Sequence, residues 1–442
     1  MALNKEKLFA AAAKRGFTVF ELSSSRQDKL TISAYNGETE TYMIADDFGM
    51  NMRGVLDGKG GSFRTDRADD EITEHALDAV QASAKYGQPL DEDMFVAGGE
   101  YEYEKVGTFN EALDAIPPAE LKALCERMSA TALKSDSRVY NANADIEYLR
   151  GVKTLCNSKG LDLEHKFNNI TIVLSCEAKQ DGEPVSHYEY LILPSLDGFD
   201  EAAFVKKTVD GTVKQFGGST VDSGKYKVVF SDGCVATLLD ALTDAFSAFD
   251  AEQHLSPLEG KIGEQVFSKL LTVKEEPIGA APYCVPFDAE GVPCKNKTLI
   301  KAGVPTGFVY DLATAKRAGV KSTGNGRTMG GNVRPAVGCA VIDGGDKTLE
   351  QLFSHVGDGL YITSLGGVST GLDRRSGNYS LEASGYHIEK GKLTSPVSLI
   401  TVAGNLTETF AGVTAVGKDR KITFYNIVAP AVAVDVQAIS GK

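Results

Sequence analysis

Two carboxylates lie one helical turn apart near the middle of the chain. Asp240 and Asp244 belong to residues 231–249, where apolar side chains recur at the spacing of an α-helix. At 100° per residue, both aspartates fall roughly opposite the apolar stripe. They could line an acidic cleft or hold a cation, although exposed helix faces usually carry such charges without any further role. The sequence therefore predicts a helix with two acidic side chains on one face, and it leaves their role open.

Histidines are few and scattered. The chain has six of them, and no two lie within ten residues of each other. A helix-borne zinc site needs two imidazoles that face the same ion, so no local histidine pair can provide one. Ligands could still meet from distant segments, for example His355 or His387 beside Cys339. The spacing alone thus indicates no metal site.

The most densely patterned stretch covers residues 359–405, where small residues interrupt strand-forming ones. Glycine within a strand marks a bulge or the close approach of another backbone. That backbone could be an extended peptide added to a sheet edge, or a neighbouring strand packed tightly. We take four residues of this stretch, together with the two aspartates, as candidates for a cleft or peptide-binding surface: Asn378, Ser384, Gly385 and Asn405.

Composition excludes several classes of protein. A net charge of −14 over 442 residues argues against nucleic acid as the main partner. No run of eighteen apolar residues is present, so we expect no membrane span. The seven cysteines are scattered without C-x-x-C spacing, which is typical of reduced thiols in the cytoplasm. Residues 4–15 are expected to form an amphipathic helix that lacks the features of a signal peptide.

The order of the expected elements indicates an α+β protein. We predict an N-terminal mixed α/β domain, residues 1–220, with a largely antiparallel sheet and the hairpin signal Asn36-Gly37. Residues 221–442 should form a large, curved, β-rich and barrel-like domain, because glycine and proline punctuate short strands there. Only two short helical pieces are expected after residue 257, at Thr314–Ala318 and Thr348–Phe353. The stretch 366–371 is expected to be a strand-end loop.

Several motifs in the second half carry a resemblance. They are the segments 256–267, 322–327 ahead of 332–335, and 380–389, with the last reading Ser-Leu-Glu-Ala-Ser-Gly-Tyr-His-Ile-Glu. Together they resemble the TldD/PmbA family of metallopeptidase components, and most closely its PmbA (TldE) branch. The resemblance implies a cytoplasmic dimer in which a catalytic TldD-type subunit pairs with a PmbA-type subunit, and which cleaves unfolded peptides.

The same resemblance bears on catalysis. The TldD branch carries His-Glu-x-x-x-His on the helix at this place, where the histidines hold zinc and the glutamate activates water. The matching positions here are Asp240, Ala241 and Ala245. The resemblance therefore implies no catalytic residue and no metal or other cofactor in this chain, with zinc expected only in a TldD-type partner.

Three hypotheses about the function of the chain follow. In the first, the chain is a non-catalytic subunit that binds unfolded peptides and completes a zinc-bearing partner. In the second, it is a metallopeptidase with non-standard ligands such as Asp240, Asp244 and His254, a set better suited to magnesium or calcium than to zinc. In the third, two copies of the chain form a peptide-binding homodimer that cleaves nothing. We favour the first reading.

Overall fold

A computed structural model describes residues 3–279, 281–329 and 332–442. These residues form two large β-sheets with helices packed against them, which confirms the predicted α+β class. Met1 and Ala2, at the start of the predicted N-terminal domain, lie outside the described residues. No helix in the described part of the chain is both long enough and apolar enough to cross a membrane.

The first sheet is antiparallel throughout and has six strands. They are β1 (Val19–Tyr35), β2 (Glu38–Leu56), β3 (Lys59–Thr65), β4 (Val139–Asn157), β5 (Asp162–Gln180) and β6 (Glu183–Leu193). Their order across the sheet is β3-β2-β1-β4-β5-β6. The accompanying helices are α1 (Lys5–Lys14), α2 (Ile72–Lys85), α3 (Glu111–Asp114), α4 (Pro118–Ser135) and α5 (Glu201–Val213), with a 3-10 turn at Glu92–Met94.

Helices cover one face of this sheet. Along β1, Leu22 packs in a core cluster with residues of α1 and α2, whereas Ile32 packs with α4 and α5. Both side chains lie on the same face because they are an even number of residues apart. The opposite face carries Leu155 of β4, which packs against Val292 from the second half of the chain.

The strands of the first sheet are longer than the sequence predicted. Separate strands were expected at 17–23 and 29–35, but β1 runs unbroken through the polar stretch between them. Likewise β4 joins the segments 138–149 and 151–156. Polar residues did not end these strands because β1 is hydrogen-bonded along this stretch to β2 on one side and β4 on the other. The predicted hairpin turn is present, with positive φ values of 52° at Asn36 and 92° at Gly37.

The second sheet contains ten strands, and two more form a separate hairpin. The ten are β7 (Gly224–Phe230), β8 (Val273–Glu275), β9 (Lys297–Lys301), β10 (Val304–Pro305), β13 (Ala340–Ile342), β14 (Gly359–Gly366), β15 (Asn378–Glu389), β16 (Lys392–Asn405), β17 (Val413–Ile422) and β18 (Ile427–Ser440). The hairpin is β11 (Gly326–Met329) with β12 (Asn332–Pro335). The helices are α6 (Asp232–Thr243), α7 (Ala248–Glu252), α8 (Leu312–Ala318), α9 (Leu349–Val356), α10 (Val368–Gly371) and α11 (Leu406–Ala411).

Five strands of the second sheet close into a ring, which gives the predicted barrel-like shape. Each of β7, β14, β15, β16 and β18 pairs with the next, and β18 pairs back with β7. The two faces of the ring carry different helices. Val228 and Phe230 of β7 share a core with α6, whereas Val229 between them packs with α9.

Three details of the second half differ from prediction. The helix expected at 231–249 ends at Thr243, continues as a 3-10 turn over Asp244–Phe246, and resumes as α7. The break lies at Ser247, whose extended backbone lets its side chain accept a hydrogen bond from the amide of Asp250 and so begin α7. The stretch 366–371 is partly helical, as α10, and α11 is a further short helix that was not predicted.

Candidate functional site

Helix α6 is buried on nearly all sides. Ser231 caps its first turn by accepting a hydrogen bond from the amide of Cys234 at 3.3 Å. Leu238, Leu239 and Leu242 are each no more than 1% exposed. A helix with apolar residues around most of its circumference belongs in a protein core. Asp240 and Asp244 are the two acidic residues at its C-terminal end, the first half-buried and the second exposed.

One arginine bridges the two aspartates. Nε of Arg374 donates to Oδ2 of Asp244 at 2.6 Å, and Nη1 donates to Oδ2 of Asp240 at 2.9 Å. Nη2 of the same guanidinium donates to the backbone carbonyl of Asp240 at 3.0 Å. The planar guanidinium presents several donors in one fork, so a single side chain can satisfy both carboxylates. The acidic pair therefore already has a cation, and that cation belongs to the chain.

The turn that carries Arg374 is held by its own hydrogen bonds. Asp373 accepts from the amide of Arg375 at 2.9 Å and from the hydroxyl of Ser376 at 2.8 Å. The amide of Gly377 donates to the carbonyl of Asp373 at 2.8 Å, which closes the turn. Arg374 thus projects from an ordered turn, so less conformational entropy opposes its contact with α6.

Electrostatics favour the charged form of this arginine. Burial opposes the charge, but the hydrogen bonds and charges of Asp244 and Asp240 outweigh it and raise the pKa of Arg374. The guanidinium remains a permanent positive charge at every physiological pH. Two carboxylates one helical turn apart would otherwise repel each other, and the bridge removes that repulsion.

The residues at the places of the zinc motif do not fit a zinc ion. Ala241 and Ala245 are 1% and 4% exposed, and both belong to the apolar core. A methyl group offers no ligand atom, and the carboxylate of Asp240 is bound to Arg374. His254 is directed elsewhere, with Nδ1 lying 2.7 Å from Oε1 of Glu259. Among residues 3–279, 281–329 and 332–442, no three His, Cys, Asp or Glu side chains are grouped to hold a metal ion.

The structure brings two further candidates close to this turn. Asn378 and Asn405 are cross-strand partners on β15 and β16, and Nδ2 of Asn405 donates to Oδ1 of Asn378 at 2.9 Å. The same amide group donates to the carbonyl of Ser376 at 2.9 Å, next to the turn that carries Arg374. Asn405 also caps α11. The asparagine pair and the aspartate pair therefore flank the same turn.

Ser384 and Gly385 lie elsewhere. They are six and seven residues beyond Asn378 on β15, opposite β14, where the pairing has a bulge. A Cβ at Gly385 would overlap the carbonyl oxygen of Tyr361, so packing between the two strands accounts for this glycine. Sequence reasoning did not find Arg374, because an arginine in an exposed turn carries no local sign of its partners. The one signal in the sequence was the pair Asp240 and Asp244, two like charges one helical turn apart that need a cation nearby.

Two family models cover most of the chain. The PmbA/TldA metallopeptidase C-terminal domain matches residues 223–441, and the central domain of the same family matches residues 111–216. The chain belongs to the TldD/PmbA family. The family resemblance noted from the sequence motifs is thereby confirmed.

Relatives and solved structures agree over almost the full length. Metalloprotease PmbA of Escherichia coli O157:H7 is 26% identical over 435 residues, which covers 96% of this chain and 92% of that protein. A Thermotoga maritima MSB8 protein, described as a candidate modulator of a DNA gyrase, has a similar fold with a TM-score of 0.91 and 27% identity over 99% of both chains. TldE from Thermococcus kodakarensis shares the fold at a TM-score of 0.88, with 22% identity over 99% of both chains. The chain is thus a PmbA/TldE-like member of the family.

Proposed function

We propose that this chain is the non-catalytic subunit of a TldD/PmbA-type peptidase that acts on unfolded peptides. The observation that carries the proposal is the end of helix α6. Arg374 there neutralises Asp240 and Asp244, and the two alanines at the remaining motif places are packed into the core. A site built in this way has neither a water-activating base nor metal ligands of its own.

The catalytic partner follows from the family resemblance. It would be a TldD-type subunit with His-Glu-x-x-x-His on the equivalent helix, and zinc would be held there. This chain would contribute peptide-binding surface and complete the cavity. We place the complex in the cytoplasm, and we include a second copy of this chain as the other possible partner.

Metal analysis combined with a cleavage assay tests the proposal. The purified chain alone should contain almost no zinc by mass spectrometry and should not cleave an unfolded peptide. Addition of a TldD-type partner should produce cleavage that a chelator abolishes. The matched control is the same partner with its motif glutamate replaced by glutamine, which should pair normally and remain inactive.

Three results would change the conclusion. About one tightly held zinc per chain, with chelator-sensitive cleavage by the chain alone, would refute the proposal and favour a metallopeptidase with unusual ligands. Peptide binding by a homodimer that no TldD-type partner activates would favour the stand-alone binding protein. A chain that neither pairs with such a partner nor binds peptide would exclude both.

A further inference from the structure

A lysine and a histidine lie on the face of the first sheet that the helices leave uncovered. Lys153 on β4 is the cross-strand partner of His165 on β5. The ammonium group of Lys153 lies 5.5 Å from the ring centroid of Phe167, and His165 stacks on the same ring at 5.6 Å. The neighbouring Leu155, on the same face, packs against Val292. These side chains therefore lie where the first sheet meets the second half of the chain.

A second source of positive charge comes from the hairpin β11–β12. Arg327 and Arg334 are directly opposite each other in its antiparallel register, a placement that is unfavourable for like charges. The guanidinium of Arg327 packs so closely on Gly338 that a Cβ there would overlap it. Arg334 is exposed and lies over the ring of Phe249 at 4.1 Å. This hairpin includes the end of the segment 322–327 and all of the segment 332–335 noted in the sequence, for which the proposed function has no role.

The loop 288–292 connects the surroundings of Lys153 and Arg327. Leu155, two residues beyond Lys153 on the same face, packs against Val292, and Asp288 accepts a hydrogen bond at 2.8 Å from the amide of Gly326, next to Arg327. Burial, and then the charge of Arg327, lower the pKa of Lys153. Burial, and then the charge of Lys153, lower the pKa of His165 to about 4, so this imidazole is neutral at physiological pH. Lys153 remains in contact with solvent. Lys153 thus has protein around it but stays open to water.

Neither cation has a counter-ion in the described part of the chain. Within residues 3–279, 281–329 and 332–442, no carboxylate oxygen lies within 4.0 Å of either charged group. Nε of Arg327 is buried and has no hydrogen-bond partner among these residues. Buried donors are normally satisfied, and an unsatisfied one calls for an explanation such as an absent ligand.

Two acids near this hairpin, Asp288 and Glu275, are already engaged. Asp288 accepts three backbone hydrogen bonds, from Glu290 at 2.9 Å, Val292 at 2.9 Å and Gly326 at 2.8 Å. Glu275 accepts from the ammonium group of Lys297 at 2.9 Å and from two amide nitrogens, those of the Asn325 side chain and the Gly338 backbone. These carboxylates reduce the positive potential at Arg327, but their oxygens already accept hydrogen bonds from other donors. A free oxyanion would supply the missing acceptor.

We propose that Lys153 and Arg327 form an oxyanion-binding site at the junction of the first sheet and the β11–β12 hairpin, with Arg334 adding to its positive potential. A guanidinium binds carboxylate and phosphate alike through two parallel hydrogen bonds, and the lysine adds a point charge. The source that suits the proposed function is the carboxylate of an extended peptide, at its C-terminus or on an acidic side chain. That part of the inference rests on the proposed peptide binding, whereas the oxyanion site does not.

Isothermal titration at low ionic strength tests the site with three ligands: inorganic phosphate, an unfolded peptide with a free C-terminal carboxylate, and the same peptide amidated. Lys153→Gln and Arg327→Gln should each weaken binding of phosphate or of the free-acid peptide by roughly tenfold or more. Arg327→Lys keeps the charge but loses the fork, so its affinity should be intermediate. Arg64→Gln removes an exposed arginine elsewhere on the first sheet and should have no effect. Added salt should weaken binding.

The outcomes separate this inference from the proposed function. Tighter binding of the free-acid peptide than of the amide, lost in Lys153→Gln, would support both. Phosphate binding that depends on Lys153 and Arg327, without any peptide binding, would support the site and contradict the peptide role. Peptide affinity that is identical in the wild type and both glutamine variants would contradict the peptide role. Phosphate affinity that is identical in all three proteins, or no binding of any of the three ligands, would overturn the site. Lys153 is solvent-exposed, so its variant should fold even if Arg327→Gln does not.

Discussion

Replacement of Arg374 by methionine should reverse the effect that the substitution Asp244→Asn has on the free energy of unfolding. In the wild type, Asp244 bonds to Arg374 at 2.6 Å, so Asp244→Asn should lower the free energy of unfolding. In the Arg374→Met background the same change should be neutral or slightly stabilising, because it then removes only the repulsion from Asp240. A change of sign between the two backgrounds is the signature of the bridge.

The expected magnitude follows from exposure. The side chain of Arg374 is 43% exposed, and those of Asp240 and Asp244 are 26% and 46% exposed, so solvent screens all three. Ion pairs of this kind contribute about 0.2–1 kcal/mol each. The like charges left behind on the helix cost roughly 0.2–0.5 kcal/mol. Arg374→Met should therefore lower the free energy of unfolding by about 1–2 kcal/mol, and the coupling between Arg374 and Asp244 should be about 0.5–1 kcal/mol.

A double-mutant cycle measured by urea unfolding provides the assay, with tyrosine fluorescence as the signal because the chain has no tryptophan. The matched control is the pair Lys5 and Asp162, whose side chains are 42% and 68% exposed and whose coupling should be smaller. High salt should reduce the coupling at Arg374. If the effects of Arg374→Met and Asp244→Asn simply add, the two residues are not coupled and the argument for an internal counter-ion at α6 is wrong.

Three further changes test the structure at other points. Ala245→His restores one motif histidine but should overpack the core and lower the free energy of unfolding by about 1–3 kcal/mol, with a lower melting temperature in thermal unfolding. A folded variant that gains zinc would contradict this expectation. Burial and the charge of Asp288 raise the pKa of Glu290 to about 8, so the folded state holds a proton that the unfolded state loses near pH 4.5. Stability should therefore fall as pH rises from about 4.5 to about 8, and Glu290→Gln should raise the melting temperature more at pH 8 than at pH 5; equal shifts would refute the assignment. Gly385→Ala should lower the free energy of unfolding by about 1–3 kcal/mol, because the added methyl group overlaps the facing strand. Gly233→Ala on α6 has open space for the methyl group and should be neutral or stabilising. Urea unfolding of both variants measures the difference.

Local patterns were the reliable part of the sequence analysis. Helix α6 was predicted from apolar spacing, and the turn at Asn36-Gly37 from residues that tolerate positive φ. The α+β class and the barrel-like second half followed from the order and punctuation of the elements. Strand lengths in the first sheet were wrong, since the polar middle of β1 is held by pairing with β2 and β4 and not by its own composition.

The sequence by itself determined that a helix near residue 240 carries two acidic residues and lacks the zinc motif, because both facts depend only on neighbours along the chain. Only the tertiary structure decided what those acids contact, since Arg374 lies 130 residues beyond Asp244. The surroundings of Lys153 and Arg327 likewise meet only in the fold, through the loop 288–292, although β4 and β11 belong to different sheets. A charge acts through space and is neutralised by whichever oppositely charged group folding brings near, so charge pairing depends on the fold. Helical periodicity depends only on the order of residues along the chain.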